Sequence, residues 1–239
     1  ADGAVRLAAA VAEIRTRHGP GGALPAAFAV ITGDLTRDGE PEAYARLAAL
    51  LAPLPFPVHL MMGNHDDRAA FAAAFPAAPR DAGGFVQQAF DTPAGRCVLL
   101  DTLSPGETLG RLCPERLDWL RGELARSAGP VLLFLHHPPV LVGIPGMDAI
   151  PLVEPEALWA VLAPHRARLR HIFFGHLHRT LAGSWQGVPL SCNRGTAFEV
   201  PLEFGTDIVV PARAAPSYAV VRIAGEALIA HARDVPGAD

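Results

Sequence analysis

Gly63-Asn64-His65-Asp66 sets an amide oxygen, an imidazole and a carboxylate in succession immediately after the apolar run 57–61. A neutral amide oxygen is a ligand for a hard or borderline cation. An imidazole can hold or donate a proton beside an anionic substrate, and a carboxylate can accept from a ring nitrogen and orient it. Three more places repeat the arrangement. Gly33-Asp34 follows the apolar residues 27–31, His136-His137-Pro138-Pro139 follows 131–135, and Gly175-His176-Leu177-His178 follows 169–174. Asp34, Asn64, His136, His176 and His178 thus each stand one to four residues beyond an apolar segment. One carboxylate, one amide and three imidazoles suit borderline divalent ions such as zinc, manganese or iron. Alternation along an extended segment places His176 and His178 on one side, where they could serve neighbouring ions.

Donors so far apart in sequence need a scaffold that brings strand ends together. The spacing of Leu7, Val11 and Ile14 predicts an amphipathic helix that stops near His18-Gly19-Pro20. A strand over 27–31, a helix opened by Pro41 and a strand over 57–61 then form a parallel unit. Parallel sheets gather functional groups at strand C-termini, where these residues lie. A short helix over 69–75, a hairpin of strands 85–90 and 97–100, and a helix from Pro114 lead to the strands at 131–135 and 169–174. A Pro- and Gly-rich loop over 138–151 has the length of a pocket wall or lid. The short β-patterned segments from Leu181 onward, including 218–223 and 227–230, read as a second sheet. With no internal repeat or low-complexity linker, residues 1–239 read as a single domain.

Composition narrows the function. With 239 residues, half of them hydrophobic, the chain is large enough to bury a sizeable core. A net charge of −4 argues against nucleic-acid binding through a broad basic face. The twenty basic residues are all arginine, a compositional habit rather than a chemical signal. Cys97, Cys113 and Cys192 are odd in number and lack zinc-ribbon spacing, which fits reduced thiols. No apolar run reaches the ~18 residues of a membrane span, and no basic-then-apolar leader opens the chain, so a cytoplasmic protein is expected.

The ordered series Gly33-Asp34, Gly63-Asn64-His65-Asp66, His136-His137-Pro138-Pro139 and Gly175-His176-Leu177-His178 resembles the calcineurin-like metallophosphoesterases. Within that superfamily it is most similar to bacterial class III cyclic-nucleotide phosphodiesterases and glycerophosphodiesterases. The resemblance implies an α/β fold, a four-layer sandwich of two mixed β-sheets flanked by helices, with two divalent metal ions (Fe, Mn, Zn or Co) at the sheet edge. It further implies that Asp34 bridges the ions, that Asn64, His136 and His176 complete one set of ligands, and that His178 belongs to the other. His65 would face the phosphate and help the leaving oxygen depart, with Asp66 as its orienting partner. The implied reaction is hydrolysis of a small phosphodiester, a cyclic nucleotide or glycerophosphodiester, by metal-activated water.

One departure accompanies the match. Relatives begin with a strand ending in Asp-x-His that fills the site shared by His178, and nothing before Asp34 supplies it. The expectation is that about twenty residues carrying this motif lie upstream of Ala1. The alternative is a non-catalytic binding scaffold on the same fold with an incomplete metal site; a phosphomonoesterase or nuclease ranks third. Arg194 reads equally as a phosphate partner and as a surface loop residue. The expected partner is a small-molecule phosphodiester, without nucleic acid or membrane, and a homo-oligomer is left open.

Overall fold

The computed structural model describes residues 3–237. Helix α1 (Gly3–His18) is followed by strand β1 (Ala29–Ile31), α2 (Pro41–Leu51), β2 (Val58–Leu60) and α3 (Arg68–Ala74). The hairpin β3 (Gln88–Thr92) and β4 (Gly95–Leu99) comes next, then α4 (Pro114–Ala125) and β5 (Val131–Leu135). Two helices, α5 (Pro145–Asp148) and α6 (Pro155–Leu162), and a 3₁₀ segment over Ala163–Arg168 precede β6 (Leu169–Phe174). The chain closes with β7 (Leu181–Trp185), β8 (Val188–Cys192), β9 (Ser217–Ala224) and β10 (Ala227–Asp234). Proline stands in the first turn of α2, α4, α5 and α6, where the missing N–H costs nothing.

Strand β5, Val-Leu-Leu-Phe-Leu, has no polar side chain to offer solvent and is buried along its whole length. It is therefore central, as parallel strands covered on both faces must be. The six-stranded sheet runs β3-β4-β5-β6-β8-β7, parallel from β4 to β8 and antiparallel at both edges. Alternation along β5 divides the core. Val131, Leu133 and Leu135 face Leu120 and Leu124 of α4 and Leu158 and Leu162 of α6. Leu132 and Phe134 face the other way, where Phe134 stacks on Phe173 at 4.9 Å and packs toward Phe28, Val30, Ile223 and Leu228. The parallel pair β1–β2 has a further layer behind it: Val11 of α1, Tyr44 and Leu47 of α2 and Phe71 of α3. Helices, strands, six-stranded sheet and helices make four layers, each boundary sealed by its own apolar cluster.

One expectation needs correction. The segments from Leu181 onward do not form a separate second sheet. Val188, Leu190 and Cys192 of β8 are buried, so β8 pairs parallel with β6 and extends the main sheet, carrying β7 with it. Only β9 and β10 stand apart, as an antiparallel hairpin. The opposing layer is thus a parallel pair and a hairpin.

The 138–151 loop is pinned by side chains. Ile144 and Met147 are buried in the main core, and the Asp148 carboxylate accepts from the N–H groups of Val142 and Gly143 at 2.7 and 2.8 Å. Among the described residues no helix is long and apolar enough to cross a membrane.

Candidate metal centre

Register explains why the strand ends converge. Ile31 pairs with Leu60, so the Asp34 and Asn64 loops leave β1 and β2 side by side. Leu135 pairs with Phe174, so His136 and His176 leave β5 and β6 side by side. The two layers meet where His136 Nδ1–H donates to the Thr32 carbonyl at 2.7 Å, joining the exits of β5 and β1. All five residues expected to hold metal come to this rim.

The rim places acceptors against acceptors. His136 spends Nδ1–H on Thr32, and His176 spends Nε2–H on the Ile150 carbonyl at 2.9 Å. Each ring is thereby fixed in the tautomer that points a lone pair inward. Those two nitrogens, His136 Nε2 and His176 Nδ1, lie 3.2 Å apart. Asn64 Oδ1 is 3.2 Å from the first and 3.0 Å from the second, and Asp34 Oδ1 is 3.3 Å from His136 Nε2. Four electron-rich atoms crowded together repel one another unless a cation or a shared proton lies among them. On the far side, Asp34 Oδ2 is 3.8 Å from His178 Nε2, and the His178 ring stacks on Phe198 at 4.0 Å. The donor set of oxygens and imidazoles therefore fits divalent ions, with Asp34 turned toward both groups.

Protonation follows the same geometry. Burial alone would raise the Asp34 carboxyl, but His136, His178 and His65 outweigh it and hold it far below the usual carboxylate range. Burial opposes charge on His136, yet the neighbouring Asp34 carboxylate carries its pKa upward. His176, buried and next to His136, is pushed down to about 3. A proton at the rim accordingly prefers His136, the ring closest to the carboxylate.

Backbone strain concentrates here as well. Asp34, His176 and His178 have φ of 53°, 66° and 46°, in the left-handed region that L-residues seldom adopt. Gly63 is required by space, since a Cβ there would collide with the Asp34 carboxylate and backbone.

His65 is exposed. Its backbone N–H donates to Asp34 Oδ1 at 3.2 Å, and its ring Nδ1–H donates to the Arg37 carbonyl at 2.7 Å. Asp66 was expected to orient that ring and does not reach it. Instead its buried carboxylate accepts from the N–H groups of Gly63, Leu35 and Thr36 at 2.8, 3.1 and 3.3 Å and from the Tyr44 hydroxyl at 2.8 Å. Burial raises its pKa to about 6 against the pull of those donors. The reason is reach: the Asp66 side chain turns under the Asp34 loop, while His65 turns outward, where a carbonyl is nearer. Asp66 is a clamp between two ligand loops.

His137 was quoted only as part of its motif, yet one of its ring nitrogens lies within 4.8 Å of those of His136 and His176. Its nitrogens are both engaged, Nδ1 with Thr102 Oγ1 at 2.8 Å and Nε2 with the Thr108 carbonyl at 3.2 Å. Arg194 pairs with Asp234 at 2.5 Å and donates to the Ala215 carbonyl at 3.0 Å, which ties it to the C-terminal hairpin. The Asp-x-His motif expected upstream of Ala1 lies outside the described residues.

The model of the calcineurin-like phosphoesterase family matches residues 5–180. The chain is 43% identical over 235 residues to a probable cyclic nucleotide phosphodiesterase of Rhodopseudomonas palustris, covering 96% of this chain and 84% of that one. It is 38% identical over 150 residues to the 3',5'-cyclic adenosine monophosphate phosphodiesterase of Pseudomonas aeruginosa, covering 62% of this chain but only 53% of the relative. Among solved structures, a dimetal phosphatase from Danio rerio shares the fold with a TM-score of 0.62 at 19% identity, over 79% of this chain and 76% of that one. The acceptor-lined rim and these matches lead to one conclusion: the chain belongs to the calcineurin-like phosphoesterases, metal-dependent hydrolases built around a dinuclear divalent metal centre.

Proposed function

We propose that this protein hydrolyses one ester bond of a small phosphodiester, with a cyclic nucleotide as the favoured substrate and a glycerophosphodiester as the second. The observation that carries the reading is the crowding of Asp34, Asn64, His136 and His176 around one point, with His178 beyond Asp34. Asn64, His136 and His176 would hold one divalent ion, His178 the other, and Asp34 both. Nitrogen and oxygen donors without thiolate suit iron, manganese, zinc or cobalt. When bound, such ions supply positive charge for the phosphoryl oxygens and lower the pKa of a water.

The chain's own residues account for the remaining steps. Asp34, held as a carboxylate by three imidazoles, fixes the His65 backbone through its N–H. The Arg37 carbonyl holds His65 Nδ1–H, so Nε2 is the ring edge left to meet substrate. As an imidazolium, with Nδ1–H kept on the Arg37 carbonyl, His65 would deliver its Nε2 proton to the leaving oxygen as the bond to phosphorus breaks and be left as the neutral ring. Asp66 keeps the loop bearing Asp34 and the loop bearing Asn64 at constant separation, so the donors need little rearrangement on binding. The fixed 138–151 wall, through the Ile150 carbonyl, keeps His176 aimed inward.

The second reading is a non-catalytic scaffold that holds metal through the same rim, with Asp34 Oδ2 3.8 Å from His178 Nε2. Assaying purified protein with cyclic AMP and with a glycerophosphodiester, alongside metal analysis, decides between them. Hydrolysis of cyclic AMP that scales with bound metal supports the enzyme. Bound metal without turnover of either diester supports the scaffold.

A further inference from the structure

The loop that leaves β4 lies next to the rim without contributing a donor to it. Thr102 and His137 are fully buried, and each touches something that leads to a ligand. The Thr108 carbonyl accepts from His137 Nε2–H, so Nδ1 carries the lone pair and accepts from the Thr102 hydroxyl. His137 is left with no free lone pair for a cation, although its ring centroid is 4.8 Å from that of His136 and 4.6 Å from that of His176. It packs against both ligand rings. The same loop reaches His176 by a second route. Gly110 donates to the Pro151 carbonyl and accepts from Val153, each at 2.9 Å, and Ile150, one residue earlier, carries the carbonyl that holds His176 Nε2. A Cβ at Gly110 would collide with the His137 ring, so the glycine lets the loop lie directly against it. Asp101, completely buried, extends the grip to the Asn64 loop. It takes a bidentate contact from Arg68 at 2.7 and 2.8 Å, four residues after Asn64.

We propose that Thr102 is a positioning residue for the metal centre, acting through His137 to hold the inward lone pairs of His136 and His176 at their short separation. It is distinct from the ligands themselves and rests on the metal reading above. The Thr108 carbonyl fixes the His137 tautomer, the Thr102 hydroxyl fixes the rotation of the ring, and the locked ring then steadies the two imidazoles packed against it.

The test measures the Mn²⁺ dissociation constant of the purified full chain by calorimetric titration for wild type, Thr102→Val and Thr102→Ser. Circular dichroism of the metal-free proteins is recorded alongside. Thr102→Val keeps the shape and loses the hydroxyl, so Mn²⁺ binding should weaken about 10- to 100-fold with the fold retained. Thr102→Ser restores the hydroxyl and should restore wild-type affinity. If Thr102→Val does not fold, Thr102→Ala removes the hydroxyl without adding a methyl and carries the same comparison. Wild-type affinity in the hydroxyl-free variant overturns the proposal, as does a loss in Thr102→Ser equal to that in Thr102→Val. A wild-type protein that binds no Mn²⁺ overturns the metal reading, and this inference with it.

Discussion

The two sides of the rim are built differently. On one side His136 and His176, which flank Asn64, have their positions set twice over. Each ring gives its outer N–H to a backbone carbonyl, the rings are buried, and His137 packs behind them. On the other side His178 is half-buried, has Asp34 Oδ2 at 3.8 Å and is steadied by the face of Phe198, while His65 stands in solvent. The first side is preorganised for holding an ion: the cost of orienting the donors has been met in folding, so little is lost when a cation arrives. The second side exposes His65, so a substrate can reach its ring there. On the proposed function, retention of metal would fall to the closed side and turnover to the side where His65 is open to solvent, with Asp34 shared by the two.

Asp34→Ala strikes both sides and should have the largest effect. It removes the carboxylate that faces His136 and His178 and releases the His65 backbone. Stoichiometric metal and detectable diester hydrolysis should both disappear by elemental analysis and assay; a variant that keeps its full metal content would refute the shared role. His65→Ala should come next and affect only the open side. Metal content should match wild type while turnover drops about 10²- to 10⁴-fold, the range for a lost general acid. If turnover falls only in step with metal content, the division between the two sides fails.

Much of this division was legible in the sequence, and the remainder was hidden for specific reasons. That Asp34, Asn64, His136, His176 and His178 would meet at one rim could be read because each follows an apolar run and parallel strands bring such ends together. Val131–Leu135 was legible to the residue, since uniform apolarity leaves a central strand no other place, and the bounds of Leu169–Phe174 were legible too, although Arg170 and His171 interrupt its apolar run. Asp66 was misread because its partners are the backbone N–H groups of Leu35 and Thr36 and a hydroxyl from α2, none of which a side-chain pattern records. The task of Thr102 was hidden for the same reason, as it depends on which residue the β4 exit packs against. The placement of β8 was missed because Val188, Leu190 and Cys192 fit equally well at the edge of either sheet; only its pairing with β6 decides.

Phe198 sharpens the contrast at smaller amplitude. If stacking is what steadies His178, Phe198→Ala should weaken one of two metal-binding steps and leave the other unchanged. An aromatic pair contributes roughly 0.5–1.5 kcal/mol beyond burial, so the affected step should lose about two- to tenfold in affinity. A calorimetric titration resolving two classes of site would show it. Equal weakening of both steps would mean that the halves are not independent.

The smallest effect concerns a buried histidine outside the rim, and it asks whether the closed side alone makes the fold acid-sensitive. His171 lies on β6, its Nε2 2.8 Å from Ser191 Oγ and its ring tilted against Phe173 at 4.2 Å. Burial lowers its pKa to about 4, against an ordinary value of about 6.5. In the unfolded chain the ring takes its proton near pH 6.5, whereas the folded chain resists until about pH 4. Between those values the unfolded state binds more protons, so stability falls as the pH is lowered through that window and is fully present above it. His176, at about 3, and His137, at about 2, act with the same sign and extend the loss to lower pH. His171→Gln keeps a group able to hydrogen-bond Ser191 and cannot titrate, so its Tm should fall less steeply than wild type from pH 6.5 to 4. If the two Tm profiles run parallel, His171 has no part in the acid limb, which then comes from the other histidines whose pKa is lowered, His137, His176 and His165.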